Sequence, residues 1–171
     1  MTHACKFLKY DYPEIEELCF KLEKSIIHEF YLSSIMLGRI IGEKIAISLS
    51  KQHYINITNK NQKERIEILK RASIIGESYS NIEEKIFNLL QDIGNYAAHG
   101  NIEQLIENSD YEIKDYSLMI HKSIYYLSSW FYKKTINFIF IDKLEEIYYY
   151  IFRVFSFIIL IYFLNYYLYY Y

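Results

Sequence analysis

Asn95 and His99 are the residues of this chain whose types and spacing suit chemistry best. On a helix, residues four positions apart share a face, so the two side chains would lie together near the helix's C-terminal end. A neutral imidazole there could move a proton near pH 7, and the Asn amide could orient a phosphate or a ribose hydroxyl beside it. Asn and His near a helix end also cap carbonyls or anchor loops, and the spacing alone favours this structural role.

Arg39 and Glu43 form a second pair with the same four-residue spacing. Opposite charges at this spacing favour an ion pair along one helix over a catalytic role. Arg39 could still supply a cation to the site if its own helix packs beside His99.

Metal and cofactor chemistry have no matching pattern in the sequence. The other histidines and the two cysteines show no metal-ligand spacing: His3, Cys5, Cys19, His28, His53 and His121. There is also no Walker loop, no glycine-rich dinucleotide turn and no nucleophile elbow. We therefore predict neither a metal site nor a cofactor.

Helix signals dominate the elements that must position these residues. Pro13 is followed by acidic residues and predicts the start of a first helix. Apolar spacing predicts a second helix with a broad apolar face over about residues 31–50, and a third over about residues 63–72. Within the second helix, Gly38 and Gly42 would let a neighbouring helix approach closely.

Two motifs with capping-box spacing, Ser80-x-x-Glu83 and Ser109-x-x-Glu112, predict the starts of a fourth and a fifth helix. The fourth helix runs to His99, and the fifth follows an acidic loop and continues through Trp130, which we expect to be largely buried. No period-two alternation lasts long enough to indicate a sheet. The predicted fold is an all-α bundle of about five helices with an apolar C-terminal helical tail.

Four pieces of the chain, in the same order, resemble a known family. They are FLKYDYPEIEELCFKLEKSI, the Arg39-x-x-x-Glu43 pair, RIEILKRASIIGESYSNIEEKIFNLLQDIGNYAAHG, and IHKSIYYLSSWFYKK with its Trp-Phe-Tyr signature. The third piece resembles the helix-ending motif of the HEPN superfamily. More narrowly, the set resembles the uncharacterised HEPN-like domain at the N terminus of type I restriction endonuclease R subunits. The resemblance covers about residues 7–133 and implies a HEPN-like bundle over residues 7–134.

The HEPN resemblance implies a ribonuclease chemistry that this chain matches only in part. HEPN ribonucleases typically dimerise and cleave RNA without a metal, with a His that transfers the 2′-hydroxyl proton and an Arg that stabilises the phosphorane. Here His99 is present, but the Arg expected directly before Asn95 is replaced by Gly94, and the basic residue expected a turn earlier is Gln91. Losing the cation beside a developing phosphorane costs several kcal/mol of transition-state stabilisation.

Two functions follow from the resemblance. The first is a non-catalytic interaction module of a restriction or defence system, with a second copy, a restriction-system subunit or nucleic acid as its partner. The second is a metal-independent ribonuclease of toxin or defence type, in which His99 and Asn95 use a cation from Arg39 or from a dimer mate.

Residues 135–171 form a separate tyrosine-rich apolar tail at which the resemblance stops. Residues 154–171 carry no charge and are near the lower length limit for a membrane span, although Asn165 and six tyrosines weaken the apolar stretch. Three interpretations stay open: a C-terminal membrane anchor, an amphipathic or partner helix, and the out-of-frame end of a truncated restriction gene, which we favour.

Charge and the N-terminal sequence bear on partners and compartment. Lys and Arg number 19 against 21 Asp and Glu, a formal charge of −2, so no global basic field draws the chain to nucleic acid. The first residues lack the apolar stretch of a signal peptide. We expect a cytoplasmic protein, with C-terminal membrane association as the alternative.

Overall fold

Six α-helices make up the described part of the chain, which contains no strand. The computed structural model describes residues 12–76 and 81–170, and all of their side chains except those of 142, 154 and 156–170. The helices are α1 (Pro13–Ile27), α2 (Tyr31–Gln52), α3 (Gln62–Arg71), α4 (Ile82–Ala98), α5 (Ile102–Glu107) and α6 (Ile113–Tyr170). The all-α prediction is confirmed.

The starts of α1, α2 and α3 agree with the sequence prediction to within one residue. α1 begins at Pro13, with Glu14 and Glu16 in its first turn, where they favour the positive end of the helix dipole. α3 has a capping box that the sequence prediction missed. The Asn61 side chain accepts a hydrogen bond from the Glu64 backbone N–H at 3.0 Å, and the Glu64 carboxylate accepts one from the Asn61 N–H at 3.1 Å.

The region around α5 differs from the prediction. The acidic loop expected after the fourth helix contains the short helix α5, so the described residues hold six helices where about five were expected. Ser80, the proposed cap of the fourth helix, lies outside the described residues. α4 has Asn81 at its N-cap position, with a left-handed backbone at φ 46° and no side-chain cap from Asn81.

The predicted capping box at Ser109 is wrong. The Ser109 hydroxyl accepts hydrogen bonds from the Tyr111 backbone N–H and from the Tyr116 hydroxyl, at 3.3 and 2.8 Å, and so belongs to the preceding turn. The Glu112 N–H instead donates to the Asp115 carboxylate at 3.0 Å, and α6 begins one residue later. The S-x-x-E spacing is present in the sequence, but the free backbone N–H of Glu112 is satisfied by the Asp115 side chain and not by Ser109.

One apolar core joins α1 to α4 and the first part of α6. Its fully buried side chains include Ile15, Leu22, Ile35, Ile45, Leu69, Phe87, Leu90, Ile120, Leu127 and Phe131. The prediction that the α2 glycines allow close packing is confirmed. A Cβ on Gly42 would lie 3.0 Å from Leu90 Cδ1, and a Cβ on Gly38 would overlap Ile120 Cγ2.

Contacts divide the chain into two units, Met1–Lys133 and Lys134–Tyr171. In the first unit Trp130 packs against the core but is only half-buried, less than expected. In the second unit, the predicted membrane segment 154–171 consists mostly of residues whose side chains are not described. Over the part of the chain that is described, no helix is both long enough and apolar enough to cross a membrane.

Candidate functional site

Gly94 of α4 lies directly against the side chain of Arg39 on α2. A Cβ at position 94 would be 2.6 Å from Arg39 Cβ, 2.8 Å from its Cδ and 3.0 Å from its Cγ, all far inside contact distance. The aliphatic part of Arg39 therefore fills the space that a side chain at 94 would need. An Arg at 94 does not fit while Arg39 stays in place.

Arg39 and Glu43 form the ion pair that their spacing favours. Arg39 Nε donates to Glu43 Oε1 at 3.2 Å, and about 30% of each side chain is exposed, 29% for Arg39 and 31% for Glu43. A partly exposed pair of this kind contributes about 0–1 kcal/mol to stability. Its main effect is to hold the guanidinium at a fixed place on α2, next to a compensating negative charge.

A shallow pocket of about 150 Å³ opens where α2 and α4 meet. It is lined by Met36, Arg39, Ile40, Glu43, Gly94 and Ala98. Met36 and Ile40 are each 40% exposed, as is Leu32, one turn earlier on the same side of α2. We call this surface, made of Leu32, Met36, Ile40, the Arg39–Glu43 pair and Ala98, the α2–α4 face.

Asn95 and His99 lie at the end of α4, beside this face. Asn95 is half-buried, and its backbone carbonyl accepts a hydrogen bond from the N–H of His99, the exposed C-cap residue, at 3.0 Å. Ala98 lines the pocket, and His99 follows it directly. Within the described residues, no hydrogen bond joins the Asn95 or His99 side chain to Arg39. The structure thus brings Arg39 to Gly94, and does not pair it with the side chain of Asn95 or His99.

No protein-family model, curated protein or solved structure matches this chain. The chemistry of the α2–α4 face must therefore be inferred from its own groups. Among the residues that the structure describes, no three His, Cys, Asp or Glu side chains are grouped so that they could hold a metal ion.

Two features of the first unit were missed from the sequence. The broad apolar face predicted for the second helix includes Leu32, Met36 and Ile40, yet the buried side of α2 is the one with Ile35, Ile45 and their neighbours. The helix is apolar nearly all round, so periodicity could not choose a side.

The second missed feature is a buried carboxylate. Glu83 is only 4% exposed and accepts a hydrogen bond from the Tyr126 hydroxyl at 2.9 Å, which links α4 to α6. Burial, followed by this hydrogen bond and the Glu83 charge, raises the pKa of Tyr126. Although 39% of Tyr126 is exposed, its hydroxyl points at a buried group. Glu83 is one helical turn before the buried Phe87, and that spacing was the available signal.

Proposed function

We propose that this chain is a non-catalytic interaction module, a HEPN-like domain related to the N-terminal domain of type I restriction endonuclease R subunits. Its α2–α4 face binds another protein. The observation that supports this function is the combination of exposed Met36 and Ile40 at the rim of a pocket with an Arg39 that is already paired to Glu43.

The composition of the α2–α4 face suits protein binding. Met and Arg are enriched at the centres of protein interfaces, and the anchors of an interface fill small pockets on the partner. A pocket of about 150 Å³ has the size of a cavity that holds a benzene-sized group. One apolar side chain of a partner would fill it, with the Arg39–Glu43 pair at its edge.

The state of Arg39 argues against catalysis by the chain alone. Phosphoryl chemistry needs a cation that is aimed at the developing charge before the reaction starts. Arg39 instead donates from Nε to Glu43, and the acidic Glu43 would lie beside any bound phosphate. An incoming phosphate would have to compete with that carboxylate for the guanidinium.

The resemblance of four ordered segments to the R-subunit domain supports a protein partner within a restriction or defence system. In this proposal, the module works in the cytoplasm.

Photo-crosslinking in cells tests the proposed face. A benzophenone amino acid would replace Met36 on the face or, as the matched control, Glu67 on α3, which is also exposed. We expect a protease-sensitive adduct from position 36 and none from position 67. Adducts of equal yield from both positions, or an adduct from 36 that nuclease removes, would contradict a protein-binding face.

A metal-independent ribonuclease of toxin or defence type is the second candidate. One observation favours this function: the aliphatic part of the Arg39 side chain packs against Gly94. The guanidinium of α2 is therefore close to α4, the helix whose C-cap is His99. In this mechanism His99 would take the 2′-hydroxyl proton, Asn95 would orient the nucleotide, and Arg39 would leave Glu43 to meet the phosphorane.

A further inference from the structure

The second unit carries a continuous line of apolar residues along α6. Phe140, Leu144, Ile147 and Ile151 follow one another at spacings of four, three and four residues. Each is exposed by about half or more, from 48% for Leu144 to 62% for Phe140. We call these four residues the tail seam. In the sequence, the same spacing continues at 154, 158 and 161, which are Val, Ile and Ile.

Spacings that alternate between three and four are the signature of a coiled coil. They keep one stripe of a helix facing a partner helix, with each apolar side chain inserted between four residues of the partner. A seven-residue repeat sustained over several heptads keeps the same stripe of the helix facing its partner. Seven consecutive aliphatic or aromatic seam positions correspond to about three heptads, a length sufficient for a sustained pattern.

Charges on this part of α6 are segregated from the seam. Helix geometry places Asp142, Glu145, Glu146 and Arg153 more than a quarter turn away from the tail seam, on the opposite side of the helix. Lys143 is at the edge of the seam and is exposed, as are Glu145, Glu146 and Arg153. Pairing through the seam would therefore leave every one of these charges in water.

The tail seam and its flanks leave a large apolar area in water. Phe140 in the seam, and Tyr148 and Phe155 within a quarter turn of it, are each more than 60% exposed. At about 150–250 Å² per aromatic side chain, these three leave roughly 300–500 Å² in water, and the half-exposed Leu144, Ile147 and Ile151 add to it. Specific interfaces bury about 800 Å² per partner. A lone helix with such a surface is an unsatisfied binding element.

We propose that the tail seam pairs with the tail seam of a second copy of this chain as a coiled coil. Identical seams are complementary to each other, since apolar positions meet apolar positions and the charged side stays outside. A membrane surface fits less well, because helices that lie on membranes carry mainly Lys and Arg on their polar side. Here the polar side holds Glu145 and Glu146 against Arg153.

Sedimentation velocity of the full chain, in detergent-free buffer at micromolar concentration, tests the proposal. We expect species of at least twice the 20.8 kDa chain mass. Ile147→Glu and Ile151→Glu place a carboxylate in the seam twice per dimer, and each should raise the dissociation constant about tenfold or more. Ile147→Asn, which adds no charge, should act in the same direction. Circular dichroism would show that the variants remain helical.

Two control variants separate the seam from other surfaces. Tyr149→Glu changes an exposed residue on the polar side of the same helix turn, and Met36→Glu changes the α2–α4 face. Neither should alter the dissociation constant by more than a small factor. A monomeric wild-type chain would overturn the proposal, as would dissociation caused by Tyr149→Glu or Met36→Glu alone. A monomer that sediments with phosphatidylcholine–phosphatidylglycerol vesicles would identify lipid as the occupant and also overturn it.

Discussion

Gly94 shows how a single residue decides what the α2–α4 face can do. Its missing side chain lets the Arg39 stem lie across α4, with Cβ to Cδ of Arg39 all within 3.0 Å of an added Cβ. A cation of α2 is thus held beside α4. That cation is already paired, because Arg39 Nε donates to Glu43.

Gly94→Ala tests this packing at the residue scale. On helix propensity alone, Ala should stabilise a helix by about 1 kcal/mol relative to Gly. Because the new Cβ would meet Arg39 Cβ, which cannot rotate away, we expect the opposite sign, a loss of about 1–3 kcal/mol. Urea denaturation followed by circular dichroism measures it. A stabilised Gly94→Ala chain would show that α2 and α4 are not in close contact there.

The hydrogen bond between Tyr126 and Glu83 should make the stability of the fold depend on pH in the alkaline range. The pKa of Tyr126 is raised above its ordinary value of 10.0, mainly by burial. Above pH 10 the unfolded chain loses the phenol proton while the folded chain keeps it, so stability should fall as pH rises. Tyr126→Phe should remove this part of the decline and cost about 1 kcal/mol at pH 7 through the lost hydrogen bond. Melting temperatures of both chains from pH 8 to 11 check it, and parallel curves would contradict it.

α2 is the element that organises the first unit, because its glycines face two different helices. Gly38 lies against Ile120 of α6, and Gly42 against Leu90 of α4. The two positions therefore differ in how well they would tolerate an added methyl group. The Ile120 contact involves a branched Cβ substituent with restricted rotation, whereas the Leu90 contact involves the end of a side chain that can rotate.

Gly38→Ala should consequently destabilise the chain more than Gly42→Ala. We expect a loss of about 1–3 kcal/mol for the first substitution from overpacking. For the second, the gain in helix propensity should offset much of the strain. Urea midpoints of the two variants against wild type measure the difference. Equal effects, or a larger loss at Gly42, would mean that Ile120 does not limit the approach of α6.

The long helices were predictable because their apolar spacing and starts agree. Pro13 and its acidic neighbours fixed α1, and the spacing that includes Leu90 and Ala97 fixed α4. α5 was not predictable, since six residues without a buried side chain give no periodic signal. The cap at Asn61 lies outside the S/T-x-x-E pattern, because an Asn and not a Ser or Thr supplies the accepting side chain.

At the scale of the whole molecule, the first unit contains a complete core. All members of the main apolar cluster lie between Ile15 and Phe131, within the unit Met1–Lys133. The core residues come from five helical segments that are far apart in sequence. A single core of this kind stabilises a domain of about 120 residues without disulfides or metals.

A chain of residues 1–136 should therefore fold alone. We expect cooperative thermal unfolding and a helix content consistent with α1 to α5 and the first part of α6. Differential scanning calorimetry together with circular dichroism measures both. Unfolding without a cooperative transition would show that residues 137–171 are required for the core to form.

The candidate site was predictable only in part. Spacing correctly predicted the ion pair of Arg39 with Glu43, whereas a joint role for the Asn95 and His99 side chains stays a prediction. Arg39 and Gly94 are 55 positions apart in the sequence, and their contact depends on how α2 crosses α4. Because Gly94 has no side chain, no sequence pattern around it indicates that Arg39 is its neighbour.

RNA cleavage tests the central claim, that the α2–α4 face binds and does not catalyse. The full chain and its His99→Ala variant would be incubated with structured and single-stranded RNA in EDTA, with the oligomeric state of each recorded by light scattering. The account predicts no cleavage by the folded wild-type chain above that of His99→Ala. Cleavage that is present in wild type and lost in His99→Ala would contradict it and establish a ribonuclease in spite of Gly94.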